Sequence, residues 1–381
     1  MPLTHVAQRP TSGVTVLRAD ALSMTDQIAW AGLSQCASAD SIFATDWFVR
    51  AILRHFDGVG ANRLFVVHGS DGAWDGVAIL APHQQFGRIG ARHMRSLANA
   101  NRFMGVPLVR PGREAHFWTM LLRHIDGGGG QDFALYLRAM PSDHRVTRAL
   151  DALCRATGRA RHIIASHKRA AINSTLSGDA YWAANLSKNR RSRLAALERQ
   201  LARDYGAIRV ERVQSHADMV AWIADFLNLE ASGWKGREAC ALAAATDSRC
   251  LFENVVASAF ACGQIACLSL YAGDRLVAMT SYFSGDTQNH FGFKTAFDES
   301  CARYAPGLLL LRHLMDCMDG QTEIRFDSCA TAQDQTLCHI WREAREICDI
   351  VVARGGWSGR ARFAYILGLG HIWHRLKSIR G

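Results

Sequence analysis

Asn289-His-Phe-Gly-Phe-Lys-Thr-Ala-Phe-Asp-Glu-Ser-Cys-Ala-Arg-Tyr-Ala-Pro-Gly307, running into Leu308-Leu-Leu-Leu-Arg-His-Leu-Met315, is the most telling segment of this 381-residue chain. It reads as an aromatic-bearing strand ending at Lys294, a charged loop, and a Pro-Gly turn that opens an amphipathic helix. A turn feeding a helix offers unpaired backbone N–H groups and the positive end of the helix dipole, an arrangement that suits a diphosphate. The same letters also describe a core helix that simply starts at Pro306-Gly307.

Working outward, Gly-Asp turns at 273–274 and 285–286 separate apolar runs at 265–272, 275–284 and 287–294, the pattern of an antiparallel meander. Helices are expected at 178–205, 215–232, 250–262, 307–318 and 335–341, with strands at 207–213 and 323–327. The N-terminal half has the same kind of order. Strands are expected at 14–18, 62–68, 74–81, 132–137 and 162–166, and helices at 23–36, 46–55, 114–125 and 143–157, with a joint at 168–173. Elements of these lengths in alternation predict an α/β or α+β fold.

A chain this long exceeds one ordinary core, so two domains are expected. Hydrophobic residues make up 49% and charged residues 20%, a globular composition. No run of eighteen apolar residues occurs, and residues 1–10 lack the apolar centre of a signal peptide, so a cytoplasmic protein is expected. The 11 cysteines form no Cys-x-x-Cys pair and read as reduced, mostly buried thiols. The 16 histidines show no zinc-site spacing, so no metal is expected. A formal charge of +10 and a pI near 9.3 favour an anionic partner: coenzyme A, a nucleotide-linked sugar, an anionic lipid surface or RNA. DNA is not among the expected partners.

Two further phrases stand upstream of the opening stretch: Tyr181-Trp-Ala-Ala-Asn-Leu-Ser-Lys-Asn-Arg-Arg-Ser-Arg193 and Leu229-Glu-Ala-Ser-Gly-Trp-Lys-Gly236. With 293–299 and 304–307 they resemble the cellulose-biosynthesis (CelD/BcsL-like, BioF2-like) acetyltransferase branch of the GNAT superfamily, which is related to the FemAB transferases. The resemblance runs from about 176 to 353 and rests on the order of the phrases. It implies tandem GNAT-like domains, each a mixed, mainly antiparallel sheet flanked by helices. The expected limits are a degenerate domain at 1–168, an acyltransferase domain at 169–353 and a basic aromatic tail at 354–381. The usual GNAT loop, Arg/Gln-x-x-Gly-x-Gly/Ala, is replaced here by Arg303-Tyr-Ala-Pro-Gly-Leu308.

The resemblance implies acetyl-CoA or another acyl-CoA as donor, held by Tyr304, Ala305, Gly307, Leu308 and Leu309. Acyl transfer also needs a proton acceptor and polarisation of the thioester carbonyl. Lys294 is the candidate for the carbonyl or a phosphate, and Asp298 or Glu299 for the proton; a structural Lys294–Asp298 ion pair explains the same residues. Glu230, and Trp234 and Lys235 on a tight loop between Gly233 and Gly236, are candidate acceptor contacts, or a glycine helix cap with exposed charges. Tyr181, Lys188 and Arg191 combine charge with aromatics as a sugar or nucleotide acceptor would require, although such a run is also the pattern of a solvated helix face.

The tail from 354 mixes arginines with Trp357, Phe363, Tyr365 and Trp373, as a basic amphipathic helix on anionic lipid would, and its Arg354-to-Arg360 glycine turn suits an anionic nucleotide such as a cyclic dinucleotide. Peripheral contact with the inner membrane is the corresponding expectation, and packing of the tail on its own domain explains the same residues. Three functions remain open at this point. One is acyl-CoA-dependent N- or O-acyl transfer to a sugar of a bacterial exopolysaccharide or cell-envelope precursor. The others are a FemAB-type aminoacyl-tRNA-dependent transfer, and a non-catalytic nucleotide sensor or scaffold.

Overall fold

The computed structural model describes residues 13–37, 39–56, 60–128, 132–316, 323–331 and 334–378. Within those limits the chain forms two compact units, one from the residues up to His167 together with those from Glu346 onward, the other from Lys168 to Arg345.

In chain order the first unit contains β1 (Gly13–Arg18), α1 (Met24–Cys36), α2 (Asp46–Phe56), β2 (Arg63–His68), β3 (Trp74–His83), β4 (His93–Ser96), β5 (Leu108–Val109), α3 (Glu114–Gly127), β6 (Ala134–Pro141) and α4 (Arg145–Thr157). The chain leaves it along β7 (Arg161–Ser174). The second unit adds α5 (Gly178–Asn185), α6 (Lys188–Tyr205), β8 (Ile208–Arg212), α7 (His216–Ser232), α8 (Trp234–Arg237) and α9 (Thr246–Ala261). Then come β9 (Ile265–Ala272), β10 (Arg275–Ser284), β11 (Asn289–Phe297), α10 (Pro306–Asp316), β12 (Ile324–Asp327) and α11 (Gln335–Cys338). The chain returns to the first unit along β13 (Glu343–Ala353) and ends in α12 (Gly356–Ser378).

The two units repeat one topology. The first has the order β1-β2-β3-β4-β6-β13 and the second β8-β9-β10-β11-β12-β7, with β5 beside β3. In each, the fourth and fifth strands run parallel and the other neighbours antiparallel. Because a parallel neighbour needs a crossover, a helix separates each such pair in sequence: α3 between β4 and β6, α10 between β11 and β12. Each sheet is completed by a strand reached from the other half of the chain, residues 346–353 in the first and 168–174 in the second.

Strand alternation sets both cores. In the second unit Ala266, Leu268, Leu270, Ala278 and Tyr282 pack with Tyr181, Trp182, Leu194, Leu309 and Leu310 of α5, α6 and α10. Phe283 and Phe293 point the other way and meet each other; Phe293 stacks with Phe252, which lies against Phe226 and Trp222 of α7. In the first unit Ile350 and Val352 meet Phe117, Trp118 and Leu150 of α3 and α4, while Val351 and Ala353 meet Phe363 and Ile366 of α12.

Five expectations are corrected. The joint at 168–173 is the interior of β7, because this part of the strand pairs with β12. The helix at 178–205 is two helices, since Ser187 caps a new start at Lys188. The strand ending at Lys294 runs on to Phe297. Residues 346–353, read as part of the second domain, complete the first unit's sheet, and the tail from 354 packs there through Phe363 and Ile366. The glycine turn expected to take a nucleotide is closed on Asp126, which accepts from Gly355 N at 2.7 Å and from Arg159. Residues 1–10, the helix end expected at 318 and the side chain of Trp373 lie outside the described residues.

Candidate active site

The second unit gathers the chemistry at the carboxyl end of β11. Ser281 pairs with Lys294 and Tyr282 with Gly292, so Phe293 is an extra residue on β11 and forms a bulge. Bulges re-aim the side chains beside them. Phe293 stays on the aromatic side of the sheet, and the Lys294 ammonium lies 5.5 Å from its ring centre. Burial pulls the Lys294 pKa down to about 8, helped by the positive charge of Lys235 and opposed by the negative charge of Glu230.

Glu230 and Lys235 come from the end of α7 and the short α8. Glu230 is 5% exposed. It accepts from Lys235 Nζ at 2.7 Å and from Leu242 N at 2.7 Å. The helix breaks at Gly233, whose extended backbone turns the chain into α8, and a Cβ on Gly236 would stand 1.8 Å from the Ala231 carbonyl oxygen. That close approach folds Lys235 back over Glu230, so the segment expected as a tight loop is a single helical turn locked by glycine. Trp234 is left 48% exposed at its start.

The charged loop after β11 closes onto this element. Glu299 accepts from Trp234 N at 2.5 Å and from Arg237 at 2.7 Å, contacts that hold its carboxyl below the usual range. Asp298 caps the 3-10 turn Glu299–Tyr304 through Ser300 N and is paired with Arg275 at 2.6 Å. Burial works to raise the Asp298 pKa, but the bonds from Ser300 and Arg275 outweigh it and the carboxyl sits low. The partner of Asp298 is therefore Arg275 rather than Lys294. Both acids, expected as proton acceptors, are tied to arginines and poorly suited to take a proton near neutrality.

Beyond the turn, Ala305 adopts a left-handed conformation (φ 54, ψ 52) and α10 begins at Pro306. The N–H groups of Ala305, Leu308 and Leu309 bond to Ala302, Ala305 and Ala305 carbonyls within the turn. Of the backbone donors expected to face a diphosphate, Gly307 N–H remains, and a Cβ there would meet nothing within 4 Å. Tyr304 is buried, its hydroxyl bonded to Asp204 and approached by Arg303. It anchors the turn and does not line it. β11 and β12 pair in parallel at 289–291 and 325–327, after which β12 ends while β11 continues. Ligands of open α/β sheets bind at such carboxyl ends, where neighbouring strands part.

The remaining candidates lie elsewhere. Tyr181 is 1% exposed and bonded to Glu343, so it is a core residue and not an acceptor platform. Asp204 meets the start of α10 and Glu198 meets His313 near its end, so α6 runs antiparallel to α10. Lys188 at the head of α6 is exposed and stands about 24 Å along that helix from Asp204. Arg191 nearby bonds the Leu186 carbonyl. Thus Glu230, Trp234, Lys235, Lys294 and Glu299 are brought together, and the basic run is not among them.

Sequence reading missed the two counterions, Arg237 and Arg275. Arg275 follows the Gly273-Asp274 turn of the meander, which was the one available signal for a charge delivered to the end of β11. The equivalent place in the first unit is filled: after β4, Arg102 is fully enclosed and bonds the carbonyls of Phe43, Leu97 and Val106, while Gly105 N bonds Ala139 of β6. Among the described residues no group of three His, Cys, Asp or Glu stands where it would hold a metal ion, and no helix is long and apolar enough to cross a membrane.

Parallel strands parted around a helix start, repeated in two units, are the features of a GNAT-type fold. Residues 188–334 match the acetyltransferase (GNAT) domain family. FemX has a similar structure at 9% identity, with 89% of this chain and 96% of FemX covered and a TM-score of 0.55. A conserved protein of unknown function from Bacteroides thetaiotaomicron is similar at 11% identity, 87% and 97% coverage and a TM-score of 0.53. The C-terminal domain of a protein described as a lysylphosphatidylglycerol synthetase, from Agrobacterium fabrum, is similar at 11% identity, 90% and 96% coverage and a TM-score of 0.50. At these identities the likeness is one of fold. No curated protein matches the chain.

Proposed function

We propose that the second unit is an acyl-CoA-dependent acyltransferase, acetyl being the favoured group, which acylates an amine or hydroxyl on a sugar of a bacterial exopolysaccharide or envelope precursor. The observation that carries this reading is Lys294, set by a bulge beside the Glu230–Lys235 pair with its pKa drawn to about 8. A lysine so tuned is substantially neutral at mildly alkaline pH and can take the acceptor's proton as its nitrogen or oxygen attacks the acyl carbon. The same proton then goes to the departing thiolate. Acyl-CoA supplies the activated carbonyl; Gly307 N–H and the dipole of α10 would meet its diphosphate. Trp234, exposed at the rim, offers a flat face to a sugar ring. The carbohydrate acceptor rests on the resemblance of residues 176–353 to the cellulose-biosynthesis branch.

The fold shared with FemX favours a second reading, transfer from aminoacyl-tRNA. A donor panel separates them. The full chain, incubated with amino-sugar and polysaccharide-precursor acceptors, is expected to transfer the group from acetyl-CoA and not from aminoacyl-tRNA, read by product mass. Transfer from aminoacyl-tRNA alone would overturn the donor assignment. Acetyl-CoA binding without turnover on any acceptor would instead indicate a sensor or scaffold.

A further inference from the structure

α12 has two faces of different character. Its inward side carries Gly359, Phe363 and Ile366, packed on the first unit's sheet with Phe133 and Val351. At 100° per residue the opposite side presents Trp357, Ala361, Ala364, Tyr365 and Gly368 within a sector of about 100°. All five are exposed. Trp357, at 84%, is the most exposed large apolar side chain among the described residues, and Tyr365 is 68% exposed. Arg360 and Arg362, both exposed, stand on the two flanks of that sector.

A water-facing helix side that holds tryptophan and tyrosine without a charge is unusual on a soluble surface. The charge around it names the occupant. From Gly356 to Gly381 the sequence has five lysines and arginines (Arg360, Arg362, Arg375, Lys377, Arg380) and no aspartate or glutamate, within a chain of net charge +10. Apolar rings between flanking cations, on a helix held in place by its other face, are the makings of an interfacial helix. We propose that this face of α12 docks the protein on an anionic phospholipid membrane, with Trp357 and Tyr365 entering the headgroup region and Arg360 and Arg362 meeting lipid phosphates. The anchor lies in the first unit and needs nothing from the site around Lys294.

Flotation of the full chain with vesicles tests this. Wild-type protein should float with phosphatidylglycerol-containing vesicles at low salt and not with pure phosphatidylcholine, and binding should weaken as salt rises. The double variant Trp357→Ala/Tyr365→Ala keeps every cation and removes only exposed side chains, so it should fold with an unchanged melting temperature. Its partition coefficient should nevertheless fall about tenfold or more. Arg360→Ala/Arg362→Ala should lose about fivefold per arginine on anionic vesicles. Failure of the wild type to float at low salt would overturn the proposal. Equal flotation of the aromatic double variant would overturn it as well, because attraction would then come from general positive charge.

Discussion

Lys294→Met is expected to lower kcat by roughly 10²–10⁴-fold with little change in acetyl-CoA affinity, because it removes the proposed proton acceptor and leaves the helix start proposed to meet the donor. Wild-type kcat/KM should rise with pH through about 8, as Lys294 becomes neutral, and level off above it. The residual activity of the variant should lack that step. Lys294→Arg should not restore turnover, since a guanidinium stays protonated throughout this range. As pH rises, stability should move the same way as activity. The folded lysine gives up its proton near pH 8 and an unfolded one near 10.4, so burying the cation opposes folding at neutral pH, and this penalty is relieved as pH rises through that window. Methionine removes the buried charge, so the variant should melt no lower than wild type. A variant that melts much lower, or one that keeps its pH step, would remove Lys294 from the chemistry.

The second large effect lies in the same unit, away from the reacting groups. Asp327 at the end of β12 is 3% exposed and pairs with Arg169 through two bonds of 2.6 and 2.7 Å, and with Arg345 at 3.1 Å. Its Oδ1 also accepts from Cys329 N. Burial would raise the Asp327 pKa, but the two arginines outweigh it and hold the carboxyl below its usual range. Asp327→Asn removes the carboxylate shared by two enclosed guanidinium groups, and breaking such a pair from one side costs about 3–5 kcal/mol. Thermal denaturation should show it as a melting temperature lower by roughly 6–20 °C for a unit of this size. Since the folded pKa is depressed, the contribution is complete above the unfolded value of about 3.9 and is lost as pH falls through the folded value. The variant's deficit should therefore shrink in acid. A shift of only a degree or two at neutral pH would mean that the network is not a principal support of the sheet.

How far the letters carried the account follows from the distance over which each feature is determined. The meander, the α10 start and the end of α7 were legible because alternation, Gly-Asp turns and glycine breaks act within a few residues. Lys294, Glu230 and Lys235 were named from two separated phrases, and the fold places them in one electrostatic neighbourhood. The roles of Asp298 and Glu299 were not legible, because the arginines that hold them lie 23 and 62 residues away in sequence. The exchange of final strands escaped for a related reason. β7 carries His167, Lys168 and Arg169 in mid-strand, which resembles a polar joint until Arg169 is seen bonded to Asp327. Tyr181 and Lys188 share one phrase, yet the break at Ser187 sends one into the core and leaves the other on the surface.

Titration of acetyl-CoA into the full chain by calorimetry shows whether the chain holds this donor. Saturable binding at one site per chain, weakened at least tenfold when Gly307→Pro removes the donor at the α10 start, is the predicted result. Absence of saturable binding would contradict the assignment of the second unit as an acyl-CoA enzyme, whatever acceptor it was offered.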